Sequence, residues 1–257
     1  MAQPAYRVFH RLIDGKPALA LIDETANQNS RRLPECVIAW AQFGERDESG
    51  LPNEKALEQL HALDEQIEQN ARKLGAVVAA ALTSDGKRTW LIYAAKSEPV
   101  LRAIGAAAKA AGPMGHGLGL NVPTGLGVRS QRDPEWKLFE EMLPTPEERR
   151  WSDDLMVVEE LEENGDILTE PREIEHLALL PSEAARERFS EWLRDHGFTV
   201  IPHKGGAAKD GTWPIEFSKV SPIDIEEIFE QTCAATVAAE ELGGTYDGWQ
   251  TRVITAG

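Results

Sequence analysis

Histidine and cysteine side chains are the first candidates for metal binding or nucleophilic chemistry in this sequence. It has six histidines and two cysteines, and among the histidines only His196 and His203 lie within ten residues of each other. A zinc site needs several ligands converging at fixed spacing, and neither Cys36 nor Cys233 has a partner of that kind nearby. The spacing predicts no metal and no cofactor. Two distant cysteines also indicate reduced thiols, as in a cytoplasmic protein.

A glycine-rich segment, GHGLGLNVPTG at residues 115–125, has the spacing of a dinucleotide-binding loop. Such a loop must lead into a helix whose N-terminus faces the phosphates, and Pro123 and Gly125 interrupt the segment at that point. The serines and cysteines have no local base, so we predict no catalytic residue and no enzyme. One alternative stays open: an enzyme or small-molecule site in the N-terminal half, with His61, Asp85 and His116 as candidates.

Carboxylates crowd the sequence between residues 153 and 166. General acid–base catalysis needs a pair of carboxyl groups whose pKa values are pushed apart by burial, which a solvated row does not supply. The row is either a solvent-exposed helix face or a docking surface for Lys- and Arg-rich segments. The residues of this row that we predict to contact a partner are Asp153, Asp154, Glu159, Glu162, Glu163 and Asp166.

The formal net charge of -16 is unevenly distributed along the chain. Residues 1–145 contain 17 Lys+Arg against 18 Asp+Glu, whereas residues 146–257 contain 10 against 25. A negative electrostatic field of this kind repels nucleic acid and attracts basic surfaces. The alternative is that the acidic residues only keep the protein soluble. We therefore predict a basic protein partner and no direct nucleic acid binding. No apolar run approaches the roughly 20 residues that span a bilayer, so we predict no membrane association.

The pattern of apolar residues predicts an α+β fold with two ferredoxin-like (split βαβ) domains and antiparallel sheets. Each half has the order strand, helix, strand, strand, helix, strand. The prolines of LPTPEE (Leu143 to Glu148) divide the chain into domains 1–144 and 145–257. Strands are predicted at residues 16–22, 35–43, 76–84, 87–95, 172–180, 198–203, 212–220 and 245–254, and helices at 53–75, 99–111, 147–165, 182–197 and 224–244.

The stretch GGTYDGWQT, from Gly243 to Thr251, follows the last predicted helix. Its two leading glycines can end that helix in the left-handed conformation. Tyr246 and Trp249 are three residues apart and cannot share one face of a regular strand, so a bulge at Gly248 or a kink at Asp247-Gly248 is expected to re-aim Trp249. Tyr246, Asp247 and Trp249 either pack in the core or contact a partner.

Three segments of the C-terminal half resemble the family of regulators of ribonuclease E activity B. They are ENGDILTEPREIEHLALL with its Ile-Glu-His at residues 174–176, the helix and strand SEAARERFSEWLRDHGFTV, and Tyr-Asp-Gly-Trp at residues 246–249. Together they span Leu155 to Thr251. The resemblance implies a ferredoxin-like, non-catalytic inhibitor that binds ribonuclease E outside its active site, where the enzyme is rich in arginine. It adds Glu175, His176, Tyr246, Asp247 and Trp249 to the predicted contact residues.

The N-terminal half resembles a different bacterial family, whose function is unknown and whose members occur fused to domains of the first type. The resemblance rests on GLPNEKALEQL, on LTSDGKRTWLIYA and on Asp-Pro-Glu-Trp at residues 133–136. It implies no activity for this half. For the whole chain an immunity or antitoxin protein that binds a basic toxin stays open as an alternative, because acidity would serve it equally well.

Overall fold

The computed structural model describes residues 4–111, 126–202 and 205–255, without the side chains of residues 29–31 and 106–111. Its contacts divide the chain into two compact units, Met1–Glu148 and Arg149–Gly257. Helices and strands are mixed in both, and the strands form two antiparallel sheets. This arrangement confirms the predicted α+β class.

Within the described residues, the first unit has a six-stranded sheet in the order β1-β2-β4-β5-β3-β6. Its elements are β1 (Tyr6–Ile13), β2 (Lys16–Asp23), a 3₁₀ helix (Ala26–Arg32), β3 (Glu35–Gln42), α1 (Glu54–Lys73), β4 (Val77–Ser84), β5 (Lys87–Ala94), α2 (Ser97–Ala111), β6 (Gly127–Arg132) and α3 (Lys137–Glu140). The run from β3 to β6 is the ferredoxin-like core, and the β1–β2 hairpin extends the sheet beside β4. Strand β1 was not predicted, because YRVFHRLI does not alternate cleanly between polar and apolar residues.

Helices α1 and α2 cover one face of this sheet. Leu60, Leu63 and Ile67 of α1 recur at helical spacing and are buried in one cluster with Trp90 and Ile92 of β5. The side chain of Asn53 accepts a hydrogen bond from the first turn of α1. The predicted end of the helix is confirmed at Gly75, whose φ of +68° is the left-handed conformation.

The second face of the same sheet is also covered. Trp136 is 1% exposed, stacks on Tyr93 with ring centroids 3.7 Å apart, and donates its indole N–H to the carbonyl of Leu33. Phe139 packs edge-on against Trp136. Asp133 caps α3, since its carboxylate accepts the N–H groups of Lys137 and Leu138 as well as the Tyr93 hydroxyl. Both faces of the first sheet are therefore apolar and packed.

The second unit has a four-stranded sheet in the order β10-β7-β9-β8 within the described residues. Its elements are α4 (Pro146–Glu163), β7 (Arg172–Leu180), α5 (Glu183–Asp195), β8 (Thr199–Val200), β9 (Trp213–Ser221), α6 (Ile225–Glu241) and β10 (Thr245–Thr251). The strand order from β7 to β10 is the ferredoxin-like one. Buried residues on the side of α5 and α6 form its core, among them Ala178, Phe189, Leu193, Phe217 and Ala235.

The last strand contains the expected irregularity. Tyr246 is opposite Ala178 of β7, but the register shifts before Gly248, so that Trp249 lies opposite His176. This β-bulge turns both aromatic side chains to the helix side of the sheet. It leaves Asp247 exposed at the bulge itself. The predicted re-aiming of Trp249 is thereby confirmed.

Candidate functional site

Asp154 lies inside the second unit although it comes from the acidic row of α4. It is 1% exposed, and its two carboxyl oxygens accept hydrogen bonds from the indole N–H of Trp249 (2.9 Å) and from the hydroxyl of Thr232 on α6. Burial raises the pKa of Asp154 above its usual value, against the lowering effect of these two hydrogen bonds. This carboxyl group therefore fixes the position of Trp249.

Asp166 is also interior, in an ion pair with Arg172 in which both side chains are fully buried. The same carboxylate accepts the backbone N–H of Ile254, and the Arg172 guanidinium donates to the carbonyls of Ile167 and Arg252. The pair thus fastens the chain after β10 to the loop before β7. The aspartate of the Gly165-Asp166 dipeptide in that loop therefore has a role in packing.

His176 and Tyr246 form a second interior pair. The His176 Nδ1 and the Tyr246 hydroxyl oxygen are 2.7 Å apart, and the imidazole stacks on Phe217 with ring centroids 5.0 Å apart. Burial, and to a lesser degree the charge of Lys219, lowers the pKa of His176 to about 4. The imidazole is therefore neutral at neutral pH.

The structure separates the eleven predicted contact residues into interior and surface groups. Asp154, Asp166, His176 and Tyr246 are interior, and each makes at least one hydrogen bond within the unit, so their contact with a partner stays a prediction. Asp153 and Trp249 are partly buried. The remaining five are exposed: Glu159, Glu162 and Glu163 on α4, Glu175 on β7, and Asp247 on β10.

A continuous surface lies on the side of the four-stranded sheet turned away from α5 and α6, which we call the open face. Alternation along β7 and β9 places the carboxylates of Glu173, Glu175 and Glu216 there. Next to them is a cavity of about 340 Å³ lined by Glu175, Leu177, Ile201, Glu216, Asp247 and Trp249, together with residues 176, 248 and 250. The cavity thus combines acidic groups with apolar walls.

The strands of this sheet contribute no basic side chain to the open face in the described part of the unit. Their two basic residues are Arg172, which is opposite Ser221, and Lys219, which is opposite Ile174. Both lie on the same side as Ile174, which is fully buried in the core. The acidic groups of the open face are therefore not neutralised from within the sheet.

Glu173 and Glu216 were not among the predicted residues. Alternation along TWPIEFSKV places the Glu216 side chain on the opposite face of the strand from Ile215 and Phe217. This placement can be read from the sequence. The pairing of Glu216 with Leu177 of β7 brings it beside Glu175, and that register is not readable from either strand alone.

The alternative catalytic residues lie in the first unit. His61 is exposed on α1, and the Asp85 carboxylate is 2.7 Å from the Lys16 ammonium and 3.6 Å from the Arg46 guanidinium at the β4–β5 turn. His116, His203 and the segment at 115–125 fall outside the described residues. Among the residues that the structure does describe, no group of three or more His, Cys, Asp or Glu side chains could hold a metal ion. None of the helices in this described part has the length and apolar character needed to traverse a bilayer.

Comparison with known proteins assigns the two units separately. A family model described as "Regulator of ribonuclease activity B" matches residues 151–251, and one described as a "Family of unknown function (DUF695)" matches residues 6–143. Both predicted resemblances are confirmed. No curated protein matches the chain.

One solved structure similar to the chain is that of an unknown protein from Galdieria sulphuraria, with 13% identity over 86% of this chain and 99% of that one. Its TM-score of 0.21 supports no inference about fold or function. The DUF695 match covers more than half of the sequence and nearly the whole first unit. The chain belongs to the DUF695 family, and it contains a second region of the type described as regulator of ribonuclease activity B.

Proposed function

We propose that the second unit is a non-catalytic, protein-binding module that lowers the activity of a ribonuclease, of which ribonuclease E is the first candidate. The observation that carries this proposal is the match of residues 151–251, almost the whole unit, to a family described as regulating ribonuclease activity. We further propose that the two units are separate domains and that this regulation takes place in the cytoplasm.

The charge of the second unit supports binding to a basic partner. Residues 149–257 contain 10 Lys+Arg against 23 Asp+Glu. A ribonuclease must present basic surface to the phosphates of RNA, so an acidic protein that covers such a surface competes with the substrate. Electrostatic complementarity of this kind accelerates association and weakens as salt screens it.

The test is the cleavage of a fluorescently labelled RNA by purified full-length ribonuclease E, with and without the whole chain. We expect the chain to slow cleavage at low salt and to lose most of this effect at about 0.5 M salt, where the Debye length is only a few ångström. An unrelated basic ribonuclease of the pancreatic type is the matched control, because it reports any unspecific effect of an acidic protein. Undiminished cleavage at a large excess of the chain, or equal slowing of both enzymes, would refute the proposal.

A further inference from the structure

We propose that the open face of the second unit binds an extended, arginine-bearing segment of a protein partner, with one guanidinium in the cavity between Glu175, Glu216 and Asp247. The identity of the partner as a ribonuclease rests on the function proposed above. The position of the docking surface rests on the geometry of the sheet, and it can be tested independently of that function.

The hydrogen bonds on the open face leave carboxylate oxygens available to a ligand. Glu173 accepts a hydrogen bond from the Ser218 hydroxyl (2.7 Å), and Glu175 accepts one from the Gln250 amide (2.9 Å) through a single oxygen. The side chains of Glu216 and Asp247 form no hydrogen bond or ion pair with any residue that the structure describes. Several acceptors around one cavity suit a guanidinium, whose five N–H groups form a planar fork.

The apolar walls of the cavity explain why arginine fits better than a small cation. Leu177 and Ile201 line it beside the carboxylates. An arginine can lay its methylene stem along such surface and present its head group to the acids.

Charge complementarity decides the class of partner. The open face presents four carboxylates, from Glu173, Glu175, Glu216 and Asp247, and both basic residues of the strands face the core. RNA would place phosphates against these acids, which is unfavourable. A basic segment can interact favourably with all four carboxylates at once. An extended segment can lie along the face of the sheet without first forming a helix or a turn.

Peptide binding tests the location of the surface. The probe is a fluorescein-labelled eight-residue peptide of alternating arginine and serine, and its anisotropy is titrated with the full chain. The open-face variant is Glu175→Gln/Glu216→Gln/Asp247→Asn, and the control variant is Glu159→Gln/Glu162→Gln/Glu163→Gln on α4. All six residues are exposed and both variants remove three negative charges, so both should fold and have the same net charge.

We expect the open-face variant to bind the peptide at least about tenfold more weakly, and the control variant to stay within about twofold of the unchanged chain. A peptide with citrulline in place of arginine has the same shape without the charge, and it should not bind. Equal weakening in the two variants, or weakening in the control alone, would overturn the proposal.

The same variants in the RNA cleavage assay separate this proposal from the proposed function. If the unchanged chain inhibits ribonuclease E and the open-face variant does not, both stand. If the open-face variant still inhibits fully, the docking surface is refuted and the function is retained. If the unchanged chain does not inhibit, but only the open-face variant loses the peptide, the function is refuted and the docking surface is retained.

Discussion

The ferredoxin-like cores of the two units share one strand order, and they differ in what lies on the second face of the sheet. In the first unit the 3₁₀ helix, α3 and the segment around Trp136 cover that face, and Cys36, Ile38 and Tyr93 are buried beneath them. In the second unit the corresponding face presents Glu173, Glu175 and Glu216 to solvent. One topology therefore serves both a sheet packed on two sides and a sheet packed on one side.

The sequences of the strands and the burial of their residues show this difference. In β3, ECVIAWAQ, nearly every residue is apolar, and five of its eight residues are buried across both faces. In β7, REIEHLALL, buried and less buried residues alternate through all nine positions. A strand with alternating polarity cannot bury both faces without removing charged groups from water. One face of the second sheet therefore stays exposed to solvent.

The largest effect should come from removing the cover of the first sheet. Trp136→Ala deletes a fully buried ring together with its stacking on Tyr93, and we expect it to lower the free energy of unfolding of the first unit by about 3–5 kcal/mol. Val220→Ala on the open face removes a side chain that is 68% exposed and should cost less than about 1 kcal/mol.

Urea titration read by pulsed hydrogen exchange measures both changes, because peptides from each unit report that unit alone. A similar loss of stability in the two variants would contradict the distinction between a covered and an open face. It would mean that Val220 is covered in solution.

The next effect concerns the packed side of the second sheet, where pH acts through His176. Its pKa is about 4 when folded, against an ordinary 6.5, so its contribution to stability is fully present above pH 6.5 and is lost as pH falls towards 4. We expect the second unit to lose about 2 kcal/mol between pH 7.5 and pH 5.

His176→Phe keeps a ring beside Phe217 and cannot be protonated. Urea titrations of the variant at both pH values should show a smaller loss on acidification, although the variant is less stable overall because the Tyr246 hydroxyl loses its partner. An equal loss in the variant would assign the pH dependence to other groups.

An effect of similar size is expected on the packed side, where Asp154 holds Trp249. Asp154→Ala leaves the indole N–H of Trp249 without its acceptor and should cost about 2–3 kcal/mol, whereas Asp154→Asn keeps one acceptor and should cost about 1 kcal/mol. Because the folded pKa of Asp154 is raised, the stability that its protonated form gives is lost as pH rises through that pKa.

The same urea titrations of the second unit measure both Asp154 variants. The arginine peptide should bind both variants as well as the unchanged chain, because the Trp249 indole lies on the opposite side of the sheet from the open face. Weaker peptide binding by Asp154→Ala than by Asp154→Asn would show that the indole does contribute to the open face.

Local features of both units could be predicted from the sequence. The strand at residues 172–180, the helix that begins beside Ser182 and the bulge before Gly248 each depend on neighbouring residues, and each is confirmed. The interior position of Asp154 could not be predicted, because its hydrogen-bond partners Thr232 and Trp249 lie 78 and 95 residues further along the chain. An acidic run in sequence therefore does not distinguish a solvated carboxylate from a buried one.

The smallest change in the free energy of unfolding is expected on the open face. It should distinguish this face most clearly from the packed surfaces of the molecule. Glu216 is exposed and its side chain bonds to no residue in the described ranges, so Glu216→Gln should change the free energy of unfolding by no more than about 0.5 kcal/mol. A slight gain is expected, since it relieves repulsion from Glu175, which is the diagonal neighbour of Glu216 in the β7–β9 pairing. The urea midpoint of the second unit measures this change, with Glu187→Gln on α5 as the control. A loss above 1 kcal/mol would mean that Glu216 stabilises the fold. The acid at this position would then be explained by stability and not by binding.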